Sequence, residues 1–530
     1  MGKRIAAVIL ALLLMVSSAG CGGSSTDEGD GIPTSSAGKD IEKTVGADNV
    51  FSLNSNSKYS FNPLIATNHS NQLICSLVYE YLVEVDNDFN VIEGAGLATE
   101  WTVSDDGKSW VITIDATHVF HDGTEVTAND VRHSIEYAIN SDRYQGRFGN
   151  VAGVSYSSDQ VYITLNQGNK RFIKLLNIPI IKFGTYGEKY PTGSGPYTYN
   201  EEHTELQSFA GHNGYEDLPV DTIYIKEYKS ADEIIAAYEN SIIDVAVNDP
   251  TSLTDLGYAS SNEFRLMSTS NMHYVAFNQE SLVCKYSSFR AAMQYAFDRN
   301  NLANALLQGN GVAASVPMYP TCSDYPTSFA SSLDYNLNKC VTILSNMGIR
   351  DYDEDGRLEF MNGTAVDFEL NFIVCSDSSA KTGVVNRFAS DMESIGIKVN
   401  VRELVWEEYL EALENGDFDM YYAEVKLRND FDITRIIAVR DEDNEATNIN
   451  YTKSTNKFYQ DYLNAYLAAS DIDSKSKFLE FCKYMSEDPI IVPLGFERQQ
   501  MITHRGVIKG VEANIGDPMY NFVNWKIDLS

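Results

Sequence analysis

Residues 97–140, LATEWTVSDDGKSWVITIDATHVFHDGTEVTANDVRHSIEYAIN, constrain the fold more than any other stretch, because they string together a strand, a turn, a second strand, a tight loop and a capped helix. Residues 101–104 read as a strand, Asp105-Asp106-Gly107-Lys108 as a hairpin turn with glycine where positive φ is tolerated, and residues 109–114 as the returning strand. Phe120-His121-Asp122-Gly123 makes a second turn. Thr127-Ala128-Asn129-Asp130 then starts a helix, with threonine as cap and aspartate three residues on.

The rest of the chain continues as an α/β alternation with many short strands. Spacing predicts helices at 127–140, 230–240 (Ser230 capping with Glu233), 288–308, 380–395, 406–415, 457–469 and 474–486. In the third of these, Phe289, Ala292, Met293, Ala296, Phe297, Leu302, Leu306 and Leu307 recur at three-to-four spacing and stop before Gly309. Strands are predicted at 222–228, 272–278, 367–374, 397–404, 418–425 and 490–496, and no internal repeat is visible. About 485 residues follow the first 45, too many for one hydrophobic core, so two or three lobes are expected.

Met1-Gly2-Lys3-Arg4 is a basic start, residues 5–16 are an unbroken apolar run, and Ser17-Ser18-Ala19-Gly20 precedes Cys21. Residues 1–20 therefore read as a secretory signal, the run being too short for an ordinary transmembrane helix. Small residues directly before a cysteine suit a peptidase that processes lipidated precursors, which makes Cys21 the expected lipid attachment. Ser18 stands where such boxes usually carry leucine, and a plain signal peptide is the alternative. Residues 21–45, rich in Gly, Ser, Thr and Asp, read as a flexible tether. A net charge of −34 argues against nucleic acid, since phosphate binding needs concentrated Lys and Arg. It reads instead as a solvated exterior that resists aggregation.

Six further cysteines, at 75, 284, 322, 340, 375 and 482, lack CxxC spacing, so no metal knuckle is present and buried free thiols are as reasonable as disulfides. Asp351-x-Asp353-x-Asp355-Gly356 begins like a calcium loop, but position twelve is Asn362 instead of glutamate, and an Asp-rich turn explains it as well. His118 and His121 lie three apart in an extended segment and would face opposite sides, as structural turn residues do. Gly193-Ser194-Gly195-Pro196-Tyr197 lacks the GK[ST] of a phosphate loop. With no HExxH, no G-x-S-x-G and no S-x-x-K set, nothing recommends an enzyme, and no cofactor or metal is implied.

The opening stretch, in consensus "LA..W..S.DGK.....I......FHDG..VTA.DV..S...A", resembles the signature of the extracellular solute-binding proteins of family 5, receptors of peptide and nickel ABC transporters. The resemblance continues in order through Asn62-Pro63, Val78-Tyr79-Glu80-Tyr81-Leu82, the GSGPY segment, Phe289-Arg290-Ala291-Ala292 with Ala296-Phe297-Asp298-Arg299, residues 335–348, the DGRLEF turn at 355–360, and Ser394-Ile395-Gly396-Ile397 before Gly416-Asp417-Phe418-Asp419. It implies a type II periplasmic-binding fold with an extra inserted lobe and two main lobes joined by a hinge. Domain I would be 46–76, 186–270 and 490–530, the extra lobe 77–185 and domain II 271–489. The protein would be a monomer on the outer face of the cell membrane, its partners a small solute and an ABC permease with its ATPase.

In peptide-binding relatives a "GW..DY.DP" loop after the "GDFD" strand presents an aspartate to the peptide's α-ammonium. Asp430-Phe431-Asp432 fits its acidic-aromatic-acidic portion and Trp406 fits an aromatic at the start of the preceding helix, while Val425-Lys426-Leu427-Arg428 replaces the Gly-Trp pair. The resemblance thus implies Asp430 as ammonium anchor, with Phe431 and Trp406 as aromatic lining. A carboxylate in a closed cleft binds an ammonium better than in water, and Arg428 or Lys426 can receive a carboxylate. The plainer alternative is that Arg428 and Asp430 are loop charges satisfying each other. A peptide is the expected ligand. A glycan, suggested by 32 tyrosines whose rings stack on sugars, and a signalling receptor without transport are the other readings.

Overall fold

In the computed structural model, which describes residues 49–144, 146–248, 262–306, 309–514 and 516–529, the expected hairpin pairs Ala98–Val103 antiparallel with Ser109–Ile114. Gly107 adopts φ 72° at its turn. Gln160–Leu165 and Val151–Ser157 extend the pair to a four-stranded sheet. The helix Ala128–Ile139 covers it, and Asp130 Oδ2 accepts the backbone N–H of the cap residue Thr127 at 3.0 Å. The expected signal, Cys21 and tether lie outside the described residues.

Two strands much longer than expected organise the remainder. Asn262–Phe277 and Ile491–His504 pair antiparallel down the middle of an eleven-stranded sheet. Toward one end Val245–Asn248 joins Gln500 to Thr503, followed outward by Phe51–Ser55, Thr222–Glu227, Glu205–Ser208 and Tyr197–Tyr199. Toward the other, Met420–Lys426 joins Asn271 to Phe277, followed by Glu369–Cys375 and Lys398–Leu404. Between these halves the central ladder slips, once between Ser268 and Met272 and again between His273 and Tyr274. Such bulges bend a strand, and they also break the alternation that would have revealed its full length in the sequence.

The halves bury separate apolar clusters. Phe51, Leu53, Ile223 and Phe522 pack in one cluster with Trp110, Ile112, Val131 and Ile135 of the hairpin-and-helix unit, so that unit and the first half of the sheet share a core. In the second half, Tyr274 and Ala276 face a cluster with Tyr421, Tyr459 and Phe496, while Val275 and Phe277 face another with Phe289, Phe372 and Phe388. Phe388 stacks on Phe297 at 4.4 Å and meets Phe372 edge-on at 5.4 Å. Each such burial contributes about 2 kcal/mol.

The continuous helix expected over 288–308 does not form. Ser287–Met293 ends early, and a new short helix, Arg299–Asn301, is capped by Asp298, whose Oδ1 accepts the N–H of Asn301 at 3.0 Å. The buried Arg299 guanidinium donates to the carbonyls of Gln294, Leu333 and Pro493 at 2.9–3.1 Å, and of these Gln294 O is the acceptor that the interruption leaves without a helical partner. Elsewhere the expected helices form within a few residues of their predicted limits, Trp406–Asn415 ending at Gly416 with φ 70°. His69–Val78 and Leu337–Asn346 are additional helices.

Candidate functional site

The hairpin of the opening stretch holds a residue that reaches the far half of the molecule. Gly168 packs so close to the hairpin that a Cβ there would lie 2.1 Å from the Asp106 carbonyl oxygen. Beside it, Asn169 donates its N–H to Gly107 O at 3.0 Å, and its own carbonyl accepts the Trp110 indole N–H at 3.2 Å. Thus fixed, Asn169 donates its side-chain amide to Asp430 Oδ2 at 2.8 Å. Two residues on, the Arg171 guanidinium donates to the carbonyls of Tyr466, Leu467 and Ala469 at 3.0–3.3 Å and lies 4.6 Å above the Tyr466 ring. A cation at the end of the helix Phe458–Leu467 satisfies carbonyls that the helix cannot.

Asp430 is 1% exposed. Besides Asn169 it accepts Arg428 Nε at 3.2 Å, Arg428 Nη2 at 3.1 Å and the backbone N–H of Asp432 at 3.2 Å. Arg428 also pairs with the Asp432 carboxylate, and the two carboxylates hold its pKa up against burial, which works the other way. In this conformation, then, the Asp430 carboxylate is fully engaged. Phe431 takes φ 56° and packs edge-on against Phe89 at 5.0 Å and Phe496 at 6.1 Å, a left-handed backbone turn that puts its ring in the seam between the halves. Trp406 lies apart from these residues, half-buried and stacked on Tyr409 at 6.0 Å.

Lys426 ends its strand opposite Asn271, beside the slipped ladder. It is solvent-accessible, yet protein crowds it closely enough to bring its pKa down to about 8, and the guanidinium groups of Arg147 and Arg143 push the same way. Neither arginine was expected from the sequence. They follow the helix Ala128–Ile139 and flank the buried Tyr144, with guanidinium carbons 5.1 and 4.8 Å from its ring centroid. Arg143 donates to Pro63 O, and Arg147 to Asn177 O at 3.0 Å and Leu175 O at 3.4 Å. Two arginines four apart, in a chain with 40 basic against 74 acidic residues, were the available signal, but nothing local says that they turn inward.

The other motifs have structural explanations. His118 Nδ1 lies 2.7 Å from Glu80 Oε1, and His212 approaches the same carboxylate. Burial opposes ionisation of Glu80, but these two histidines outweigh it and lower its pKa to about 2. His121 makes a separate contact, 3.0 Å to Gly195 O, and burial lowers its pKa to about 4. Cβ atoms on Gly193 and Gly195 would fall 2.1 Å from Val78 O and 2.6 Å from Leu77 O, so close backbone approach accounts for the GSGPY glycines. All six cysteines from Cys75 to Cys482 are free and buried. Asp351, Asp353, Asp355 and Glu359 bring carboxylate oxygens within 4.8 Å of one another, and Glu359 supplies the acid that Asn362 does not. His273, Glu424 and Glu497 also converge, but the Lys381 ammonium already contacts Glu424 at 2.9 Å. Among the described residues no helix is long and apolar enough to cross a membrane.

Residues 94–431 match the sequence profile described as bacterial extracellular solute-binding proteins, family 5, middle part. The oligopeptide-binding protein AppA of Bacillus subtilis is 25% identical over 390 residues, covering 68% of this chain and 70% of AppA. Heme-binding protein A of Haemophilus influenzae is 23% identical over 386 residues, covering 64% and 67%. Among solved structures, the periplasmic murein tripeptide-binding protein MppA in its unliganded open form superposes with a TM-score of 0.72 at 15% identity, over 91% of this chain and 98% of MppA. The mixed α/β fold is that of these periplasmic binding proteins, and the profile describes binding proteins, not enzymes. The chain belongs to family 5 of the bacterial extracellular solute-binding proteins.

Proposed function

We propose that this protein is a lipid-anchored receptor, tethered through Cys21 to the outer face of the cell membrane, that captures a peptide between two lobes and delivers it to the permease and ATPase of an ABC importer. On this reading domain I comprises 46–76, 186–270 and 490–530, the extra lobe 77–185 and domain II 271–489. The slipped ladder at Ser268 to Met272 is the hinge, because bulged strands flex where regular ones resist. Sequence similarity to an oligopeptide-binding protein supports a peptide as the ligand.

The observation that carries the reading is the pairing of a carboxylate with a guanidinium, Asp430 with Arg428, held by Asn169 where the extra lobe meets the far half of the sheet, with Lys426 two residues before Arg428 at the end of its strand. A peptide's two termini need both signs of charge. Its ammonium would reach Asp430 by displacing Arg428, which keeps Asp432 as its partner. Phe431 supports that loop from beneath, and Trp406, apart from it in this conformation, would cover solute side chains once the lobes close. The test is mass spectrometry of solute released from the purified protein, with small-angle scattering before and after it is restored. A peptide and a smaller radius on binding are expected. A released glycan, or identical scattering profiles, would overturn the peptide or the hinge respectively.

A further inference from the structure

One segment of the extra lobe is built into the first half of the molecule and bonded to the second. Phe172, Ile173, Leu175 and Leu176 are buried in the apolar cluster that holds Phe51, Leu53 and Ile223, which fixes the segment to the first half of the sheet. The polar groups just ahead of it reach the other way. Lys170 donates its backbone N–H to Leu467 O at 2.8 Å, and Arg171 Nη1 donates to the carbonyls of Tyr466, Leu467 and Ala469. Arg171 Nε also lies 3.6 Å from Asp324 Oδ2, and Asp324 is held by the Ser474 hydroxyl at 2.6 Å and the Tyr466 hydroxyl at 3.3 Å. On either side of Arg171, Asn169 bonds Asp430 and Lys174 O accepts the Asn429 amide at 3.2 Å. The backbones approach closely enough that a Cβ on Gly168 would lie 3.6 Å from the Ala468 Cβ. Val85 and Phe89 add apolar contact between the lobe and the second half. Each bond of this polar seam can be exchanged for one to water at small net cost, whereas parting the shared apolar core exposes its surface with nothing in return. The seam is therefore where the two halves would separate.

We infer that residues 169–171 are a closure clasp, with Arg171 the residue that holds it, so that the lobes part and solute leaves only when this seam breaks. The inference rests on the reading of two lobes that close about a solute. Arginine suits the role because one planar fork serves three carbonyls at the end of the helix Phe458–Leu467 and still faces Asp324. Asn169, two residues before it, bonds the carboxylate assigned to the solute's ammonium, so the clasp and that anchor are joined through one short segment.

The test follows two backbone N–H groups by hydrogen exchange in the full chain, stripped of solute: Lys170, bonded across the seam, and Leu165, bonded to Lys108 O at 2.8 Å within the lobe. Arg171→Gln should make the Lys170 N–H exchange roughly tenfold faster or more and leave Leu165 as in the wild type, with a larger radius of gyration in small-angle scattering. Arg171→Lys, which keeps the charge but not the fork, should fall between the two. Asn429→Ala removes one seam bond at a half-buried position, and a severalfold faster Lys170 exchange is expected there even should Arg171→Gln fail to fold. Faster exchange at Lys170 and Leu165 together would mean that Arg171 holds the lobe's own fold, and faster Lys170 exchange at an unchanged radius would mean that the seam frays while the lobes stay together. Either result overturns the clasp, as does unchanged exchange in both variants. The hinge is judged from a different quantity, the wild-type radius before and after the released solute is restored, so the clasp can fail while the hinge stands.

Discussion

Asp517 gives a stability prediction with a determinate sign. Its carboxyl is 7% exposed beside the equally buried Glu84, and burial pushes its pKa from 3.8 to about 7 despite bonds from the Met519 N–H and the Ser76 hydroxyl. Burial and the nearby Asp517 also push Glu84 well up. A carboxyl whose folded pKa is raised stabilises fully below its unfolded value, and that contribution is lost as pH climbs through the folded value, here from about 4 to about 7. A rise of about 3 units at about 1.4 kcal/mol per unit sets a ceiling of about 4 kcal/mol, of which roughly 2–3 kcal/mol falls between pH 5 and pH 8. Asp517→Asn removes the ionisation, keeps an oxygen for the Met519 N–H, and offers an amide proton to Glu84. Urea unfolding of both proteins at pH 5 and pH 8 should find the variant's stability relative to wild type greater at pH 8 than at pH 5 by roughly 2–3 kcal/mol, with the variant the more stable at pH 8. A variant no more stable at pH 8 than wild type would refute the claim that this buried acid pair is ionised at a cost.

Two further outcomes are expected. Asp430→Asn should abolish discrimination between a free peptide and its N-acetylated form, which in the wild type should amount to about 2–5 kcal/mol, because a bound ammonium without Asp430 is desolvated and unpaired. Equal wild-type affinity for both forms would confine Asp430 to its contacts with Asn169 and Arg428. Cys21→Ala should leave an exported protein that no longer fractionates with membranes, since acyl chains and not an acidic body supply the affinity; unchanged membrane association would remove the lipid assignment.

The sequence by itself determined what local chemistry can enforce. Gly107 at the hairpin turn, Thr127 and Asp130 at the helix start, and Ser230 with Glu233 each act within a few residues, and each appears in the structure as read. The collinear motifs led to the same family that the profile match assigns. Tertiary structure alone decided the rest. The apolar spacing of 288–308 is real, but the carbonyls of Gln294, Leu333 and Pro493 draw in Arg299, and distant acceptors override a local period. The two central strands run past their bulges because partners far away in the chain pair with both ends. Asp430 is enclosed by Asn169, across 261 residues of sequence. Periodicity reports which face of an element is apolar; which charges meet is set by how the elements close over one another, and that depends on the whole chain.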